Sequence, residues 1–456
     1  MIKRVKLLIL TMLTSLLLPS LAWAAETNSI DTGDTTFIIL SAALVMIMTP
    51  GVALFYAGMV RKKNVLSTMM MSFIAISVVS IIWVLFGYSF AFGTAGHAGL
   101  NQFIGGLSYL GFNSVGPEAL EGMTIPHFVF AAFQLMFAIL TVAIISGSIA
   151  ERMNFTAFIA FIALWATCIY APLAHWVWGG GWLMQLGALD FAGGTVVHIS
   201  SGISGLVAAL VIGKRKGYGS EPLIPHNLPM TVLGAVILWF GWFGFNAGSA
   251  LAANGLATSA FVVTHICAAV GGLSWVVAEW IHHGKPTLLG CISGAVAGLV
   301  VITPAAGFVT PLAALILGLT AGPLCYFAVA VVKAKLGYDD SLDAFGIHGV
   351  GGMWGAIATG LFCTTTVNEL GANGLFYGNA AQLIPQLIGV IGTILFAAAG
   401  TFILLKIVGL FCNLRVTADD EVMGLDVSIH GENGYMLGDA FGGSLISPNK
   451  STVVPK

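Results

Sequence analysis

The sequence predicts an all-α polytopic membrane protein with eleven transmembrane helices, arranged as an inverted five-plus-five repeat followed by a final helix. Of the 456 residues, 58% are hydrophobic and only 8% are charged, whereas soluble domains are about 25% charged. The 58 glycines indicate closely packed helices, because small residues let membrane helices approach one another. The repeat is predicted from two segments that share the spacing between an aspartate and a histidine.

The first 24 residues have the features of a secretory signal peptide. A basic start precedes the apolar run 7–18, and an Ala-Trp-Ala sequence at 22–24 provides a cleavage site. An uncleaved first span is a weaker interpretation, because the apolar run is short and Pro19 follows it. We expect the mature chain to begin near residue 25, on the exported side of the membrane.

Eleven apolar segments follow, each long enough to cross a hydrocarbon core of about 30 Å, which takes about 20 residues. They lie approximately at 36–60, 65–92, 123–150, 154–173, 190–212, 227–252, 257–281, 286–303, 307–333, 342–363 and 383–411. Residues 25–411 would then form one transmembrane domain, with a tail at 412–456.

The basic residues lie on one set of connections, near 61–63, 152, 214–216, 285, 333–335, 406 and 415. The alternate connections contain no Lys or Arg, and they lie near 94–122, 174–189, 253–256, 304–306 and 364–382. Cytoplasmic connections carry the excess of positive charge in membrane proteins. The N-terminus is therefore expected outside and the C-terminus inside.

The repeat rests on two sequences that each carry an aspartate eight residues before a histidine. Asp190 precedes His198 in DFAGGTVVH, and Asp340 precedes His348 in DSLDAFGIH. The first aspartate lies at the outer start of the fifth segment, and the second lies at the inner start of the tenth. The two halves must therefore have opposite orientations, as in many transporters.

A shorter match supports the same repeat. Phe-Tyr-Ala-Gly at 55–58 in the first segment recurs as Phe-Asn-Ala-Gly at 245–248 in the sixth. The match is weak alone, and its equivalent position in the two halves gives it weight.

Both histidines are expected near the middle of the membrane. Eight residues at about 1.5 Å each put each histidine roughly 12 Å beyond its aspartate, in a core about 30 Å thick. The inversion then brings His198 and His348 to one level and within contact. Such a pair can share a proton and hydrogen-bond a small polar solute, and an ionisable residue at this depth usually has a function. Two unrelated packing histidines are the alternative.

Other residues support a site at the outer mouth. Asp190 begins a helix, where a carboxylate caps free amide groups; it could also attract or orient a cation. Aromatic side chains, whose faces attract cations, lie near the exported ends of segments at Phe133, Phe137, Trp176, Trp178, Trp242 and Phe245. A belt of aromatic residues at the membrane surface would explain the tryptophans equally well.

The remaining histidines and cysteines are expected to be structural. His265 has no symmetric counterpart, and His282 and His283 are expected in a loop. The six cysteines are scattered without a CxxC pattern, which predicts neither disulfides nor a cysteine metal site.

These residues resemble the ammonium transporter (Amt) family, the bacterial relatives of the Rhesus proteins. The resemblance runs over nearly the whole mature chain and is strongest in DFAGGTVVH at 190–198, GWFGFNAGS at 241–249 and FGIHG at 345–349. It implies an eleven-helix protomer with its own pore, in a homotrimer of the bacterial inner membrane. It further implies a channel or transporter rather than an enzyme, with no cofactor, no metal and no nucleic-acid partner.

The resemblance also implies roles for individual residues. His198 and His348 correspond to the twin pore histidines. An ammonium recruitment site at the outer mouth would consist of Phe133, Phe137, Trp178, Asp190 and Ser249. A phenylalanine gate would be formed by Phe137 and Phe245, with Trp242 lining the lumen.

The tail has two possible interpretations. Its composition alone predicts a solvated acidic appendage, partly ordered at best. However, EVMGLDVSIHGE at 421–432 resembles the cytoplasmic regulatory tail of bacterial family members. That resemblance implies a trimeric P-II family signal protein as a partner at the inner mouth.

Together these features predict that ammonium is gathered at the outer aromatic site, loses its proton and crosses beside the histidines as ammonia. A small cation in a dry pore loses its hydration, and no carboxylate near the midplane replaces it. Two other classes stay open: an ammonium sensor (transceptor) that signals through its tail, and a membrane redox protein with histidine-ligated haem. A proton antiporter fits less well, because it would need a carboxylate near the midplane.

Overall fold

The computed structural model describes residues 29–435. In this part of the chain, nine helices are long and apolar enough to cross a membrane, and two shorter apolar helices complete eleven. The predicted all-α membrane fold is confirmed. The predicted signal peptide at 1–24 and the end of the tail at 436–456 lie outside the described residues.

The eleven membrane helices are α1 (Thr32–Met59), α2 (Lys62–Phe92), α3 (His127–Ile149), α4 (Phe155–Leu186), α5 (Gly194–Ile212), α6 (Leu228–Gly248), α7 (Gly255–His283), α8 (Leu288–Ile302), α9 (Pro311–Leu336), α10 (Phe345–Gly349 with Val350–Phe362) and α11 (Ala380–Phe411). Two short helices follow in the tail, α12 (Ala418–Met423) and α13 (Leu425–His430). We name the end of the bundle at which α1 begins the outer end, after the predicted orientation.

Most predicted segments differ from these helices by a few residues at each end. The differences that matter are at the outer end, where the third and sixth segments were predicted to extend over 123–126 and 249–252. Both stretches form turns instead, and these turns border a cavity.

The first helices of the two halves, α1 and α6, pack together through glycines. A Cβ atom on Gly58 would overlap Thr231 of α6, and one on Gly248 would lie 2.6 Å from the Cβ of Ser41 of α1. These two glycines end the FYAG and FNAG sequences. The same small residue therefore allows the same close approach in each half, as an inverted repeat requires.

The helices that carry the histidines begin later than predicted. After each aspartate the chain is not yet helical, and the residue three positions on has a positive φ: 116° at Gly193 and 62° at Asp343. A π-helical turn then follows in each half, at Gly194–Ile199 and at Phe345–Gly349. The prediction of a uniform α-helix from each aspartate to its histidine is therefore wrong, and π turns are frequent at functional sites.

Buried ion pairs join the connections at the inner end. Glu151 binds Arg61 at 3.0 Å and Arg215 at 2.9 Å, and Arg215 also binds Asp339 at 2.8 Å. Burial by itself would raise the pKa of Glu151, but Arg215 and Arg61 hold that pKa below its usual value. The pKa of Asp339 is likewise lowered, because bonding to Arg215 outweighs the effect of burial.

The tail is docked against these connections. The backbone N–H of Asn154 donates to the Leu414 carbonyl at 2.9 Å, and the Lys63 ammonium donates to the Val422 carbonyl at 2.6 Å. The Asp426 carboxylate accepts the backbone N–H of Ser67 at 2.8 Å. As far as residue 435, the tail is thus packed on the protein rather than solvated throughout.

Candidate functional site

A cavity of about 200 Å³ lies at the outer end of the bundle, above the midplane histidines. Its wall consists of Phe92, Met123, Phe130, Gln134, Phe137, Val177, Trp178, Met184, Phe191, Ser249 and Leu251. The structure therefore brings together three of the predicted recruitment residues, Phe137, Trp178 and Ser249. We call this space the outer cavity.

Two predicted recruitment residues do not line the outer cavity. The ring of Phe133 is fully buried behind the wall and meets the Phe137 ring edge to face, with the centroids 4.9 Å apart. Asp190 is also absent from the wall. Trp176, two residues before Trp178, also does not line the wall. Its indole N–H donates to the carbonyl of Phe103 at 2.8 Å.

Asp190 caps α5 with its whole carboxylate. One oxygen accepts the amide N–H groups of Gly193 at 2.8 Å and Gly194 at 2.7 Å, and the other accepts the amide N–H of Thr195 at 2.7 Å and its hydroxyl. The backbone carbonyl of Asp190 accepts the indole N–H of Trp178 at 2.9 Å. Asp190 thus holds Trp178 at the cavity through its backbone, while its charge is satisfied by the helix start.

Several wall residues were not predicted, and Gln134 is the most informative. It is the one uncharged polar residue in the run 130–140 of α3, one turn before Phe137, and it is 9% exposed. A lone polar side chain in an apolar helix is a signal that sequence reasoning could have used. Met123, Phe191 and Leu251 gave no such signal, because apolar residues outside helices are ordinary.

Stacked rings close the floor of the outer cavity. The rings of Phe137 and Phe245 have centroids 4.3 Å apart. Below them, the His198 ring lies nearly parallel to Phe245, at 20° and 6.0 Å. Trp242 stacks on His198 at 5.4 Å, and its indole N–H donates to the hydroxyl of Thr303 at 2.9 Å. Aromatic side chains therefore lie between the outer cavity and the histidines.

His198 and His348 meet directly below this floor. Their Nδ1 atoms are 3.2 Å apart, so one nitrogen must donate and the other must accept. When both rings are neutral, the donor ring has a bare Nε2 and the acceptor ring carries a hydrogen on Nε2. The pair therefore offers one hydrogen-bond acceptor and one donor to the lumen. The Nε2 atom of His198 is buried and has no partner among the described residues.

A second, much smaller cavity of about 10 Å³ begins at His348 and continues toward the inner end. Its volume is close to the roughly 10–15 Å³ that one water molecule needs. Its wall is formed by Met48, Val52, Phe55, Tyr56, Leu140, Ile144, Leu238, Trp242, Val296 and His348. We call it the inner cavity. Among the residues of this wall, Tyr56, Trp242 and His348 are the ones whose side chains contain nitrogen or oxygen.

The spacing of His198 and His348 argues against a haem bound between them. The His198 and His348 rings stack at 27° with centroids 5.3 Å apart, which leaves no space for a planar haem between them. Within residues 29–435, no group of three or more His, Cys, Asp or Glu side chains could hold a metal ion.

The sequence matches a known protein family over most of its length. The model of the Ammonium Transporter Family matches residues 36–435. This chain belongs to the ammonium transporter family. An ammonium transporter of Bacillus subtilis (strain 168) is 56% identical over 405 residues, which are 88% of this chain and 98% of that one. The family consists of membrane transporters rather than enzymes, and membership in it supports ammonium transport as the activity of this chain.

Solved structures of the family agree with this fold. Mep2 of Saccharomyces cerevisiae is 38% identical and superposes with a TM-score of 0.79, covering 86% of this chain and 89% of Mep2. A protein described as a sensor Amt protein is 30% identical, with a TM-score of 0.81 over 87% of this chain and 98% of its own. The predicted family and fold are thereby confirmed.

The other histidines lie away from the two cavities. His265 is on the exposed face of α7, with its ring 5.5 Å from that of Trp239. The prediction that His282 and His283 lie in a loop is wrong, since they form the last turn of α7. The helix continues through them because the left-handed residue that ends it, Gly284 with φ 76°, comes next.

Proposed function

We propose that this protein moves ammonium nitrogen across the bacterial inner membrane, and that the nitrogen passes the histidines as ammonia. The contact between His198 and His348, 3.2 Å between Nδ1 atoms, carries the proposal. It lies between an aromatic cavity and a narrow apolar one. Within the described residues neither wall includes an Asp or Glu, so nothing there would neutralise a cation.

Recruitment is assigned to the outer cavity. The faces of Phe137 and Trp178 would attract the ammonium ion. The Ser249 hydroxyl donates to the Phe245 carbonyl at 2.8 Å, which leaves its lone pairs free to accept an ammonium N–H. Phe133 would act by packing behind Phe137, and Asp190 by holding Trp178.

Deprotonation is assigned to the passage below the outer cavity. A cation that entered between Phe137 and Phe245 would exchange its water for ring carbons and gain no counter-charge, which is costly. Ammonia can donate to the bare nitrogen of the histidine pair and accept from the protonated one. The pair therefore suits a neutral solute that is both donor and acceptor, and Trp242 fixes the ring of His198 by stacking.

The test is transport by the double variant H198L/H348L in proteoliposomes. We propose that the proton given up by ammonium crosses separately, along the hydrogen bond between His198 and His348, and that this relay makes transport carry charge. Saturable charge movement after an ammonium pulse is therefore expected to disappear, because the double variant has no donor and acceptor left to pass the proton. H265L is the matched control, since it also replaces an intramembrane histidine with leucine but lies on an exposed face, and it should retain the currents. Wild-type currents in the double variant would exclude the relay role.

We propose the remaining features from the family resemblance and the sequence patterns. Residues 1–24 would be removed as a signal peptide, 25–411 would form the transport domain of a homotrimer, and 412–456 would form a cytoplasmic regulatory tail. The N-terminus would then lie outside and the C-terminus inside. The docked tail forms part of the surface at the inner end, and this supports binding of a P-II family protein there.

A sensor role is the second candidate, because a sensor Amt protein shares this fold. Deleting residues 412–456 separates the two roles. A transporter should show altered regulation or rate of uptake, whereas a sensor should keep its uptake and lose its ammonium-dependent signal.

A further inference from the structure

Asp34 lies in the first turn of α1, at the outer end and outside the wall of the outer cavity. Its side chain contacts two separate segments. Oδ1 accepts the backbone N–H of Ala253 at 2.8 Å, and Oδ2 accepts the hydroxyl of Thr124. One half-buried carboxylate thus connects α1 to the turn after α6 and to the turn before α3.

Each of these partners is close in sequence to a wall residue of the outer cavity. Ala253 comes two residues after Leu251, and Thr124 comes directly after Met123. Leu251 and Met123 both line the cavity. The two oxygens of Asp34 therefore hold two different parts of the same wall.

The two wall segments need such support because neither is a helix or a strand. Leu251 has a φ of 57°, a left-handed conformation that a leucine adopts only when its surroundings impose it. The stretch before Thr124 turns at Gly122, whose φ is 78°. A side chain fixed on α1 supplies a rigid reference point for both turns.

Asp34 is itself held in place. Its backbone N–H donates to Asp31 Oδ1 at 2.8 Å, and the backbone N–H of Asp31 donates to the Thr124 carbonyl at 2.8 Å. The start of α1 and the Met123 turn are thus joined through both backbone and side chain. Both carboxylates of this turn serve as acceptors within the protein.

We infer that Asp34 is a positioning residue for ammonium recruitment: it fixes Leu251 and Met123 and thereby sets the width of the outer cavity. This inference rests on the proposed role of the outer cavity. The ring stack and the histidines lie on α3, α5, α6 and α10, and none of these residues is a hydrogen-bond partner of Asp34. Loss of its bonds should weaken ammonium binding and leave the maximum rate unchanged.

The test compares D34A, D34N and T124V by the concentration dependence of ammonium-induced charge movement, normalised to reconstituted protein. D34A loses both bonds and should raise the half-saturating concentration roughly three- to tenfold, less than the full strength of two hydrogen bonds to a charged acceptor, because these bonds affect ammonium only through the position of the wall. D34N keeps an oxygen for the Ala253 amide and can donate to the Thr124 hydroxyl, so it should stay close to wild type. T124V removes one bond and should lie between them.

Hydrogen–deuterium exchange of the peptides that cover 119–126 and 250–254 provides a readout independent of transport. Exchange should be faster in both peptides of D34A and unchanged in D34N. An equal rise of half-saturation in D34N and D34A would overturn the inference, because it would make the charge of Asp34 responsible. Unchanged exchange in D34A would overturn it as well.

The variant W178L distinguishes an error in the role given to Asp34 from an error in the proposed recruitment site. If W178L raises the half-saturating concentration and D34A does not, the cavity recruits ammonium and Asp34 does not set its width. If neither variant changes half-saturation, recruitment by the outer cavity is wrong, and the inference is overturned with it.

Discussion

Replacing Arg215 with methionine is expected to destabilise the protein strongly. Arg215 joins three connections at the inner end, and its side chain is only 7% exposed. Its guanidinium donates to Asp339 at 2.8 Å and to Glu151 at 2.9 Å, and its backbone N–H donates to Asp339 at 2.7 Å. Methionine keeps the unbranched apolar stem of the side chain and removes every contact that the guanidinium makes.

The size of the destabilisation follows from the two carboxylates that stay buried in R215M. Glu151 would keep Arg61 and Asn64 as partners, at 3.0 and 2.8 Å, but Asp339 would keep only Arg152, at 4.0 Å, as a charged partner. Removing one member of a buried ion pair costs about 3–5 kcal/mol, because a charge stays buried without compensation. The folded-to-unfolded ratio should fall by roughly a hundredfold or more.

The assay is thermal unfolding of the purified protein in detergent. R215M should lower Tm by roughly 6–10 °C, at about 2 °C per kcal/mol for a large domain. K214M is the matched control, since Lys214 is the exposed neighbouring residue, and it should leave Tm within about 1 °C of wild type. If R215M and K214M have the same Tm, the ion pairs do not stabilise the inner end and the reasoning is wrong.

Three further outcomes are expected. The Tm difference between wild type and R215M should narrow as the pH falls below about 4.5. Folding lowers the pKa values of the Glu151 and Asp339 carboxyl groups. Their ion pairs therefore stabilise the protein at neutral pH, and this stabilisation is lost as the folded state takes up protons. G202A should abolish ammonium currents in a protein that still assembles, because the added Cβ would overlap the backbone of Gly349 and push α10 away from α5. G389A is the control and should conduct normally, because its Cβ would have no neighbour nearer than 3.8 Å. Q134L should raise the half-saturating ammonium concentration by roughly tenfold or more, because the ion loses one hydrogen bond from a charged donor, worth about 1.5–3 kcal/mol. An unchanged value would show that the amide does not contribute to recruitment.

The membrane fold was predictable from the sequence because lipid imposes a simple rule. Apolar runs of about 20 residues must be helical, and the distribution of Lys and Arg predicts their direction. The contact between His198 and His348 followed from the same spacing in two inverted halves. The resemblance to the ammonium transporter family then indicated Phe137, Trp178 and Ser249, which do line one cavity.

The parts that were not predicted depend on local backbone geometry. The positive φ values at Gly193 and Asp343, and the π turns after them, do not change the apolar pattern of the sequence. Leu251 reaches the cavity through an irregular turn, and its sequence context is unremarkable for an apolar residue. Docking of the tail uses backbone carbonyls, such as that of Val422 for Lys63, and a carbonyl is present in every residue.

The walls of the outer and inner cavities contain no acidic side chain among the described residues, and this has a consequence for competing ions. Potassium has no proton to give away, so its charge is permanent. At the ring stack of Phe137 and Phe245 it would lose water and gain no anion in return. Under the proposed mechanism, passage would be decided by acid–base chemistry and not by ionic radius, because only a solute that can become neutral would enter the lumen.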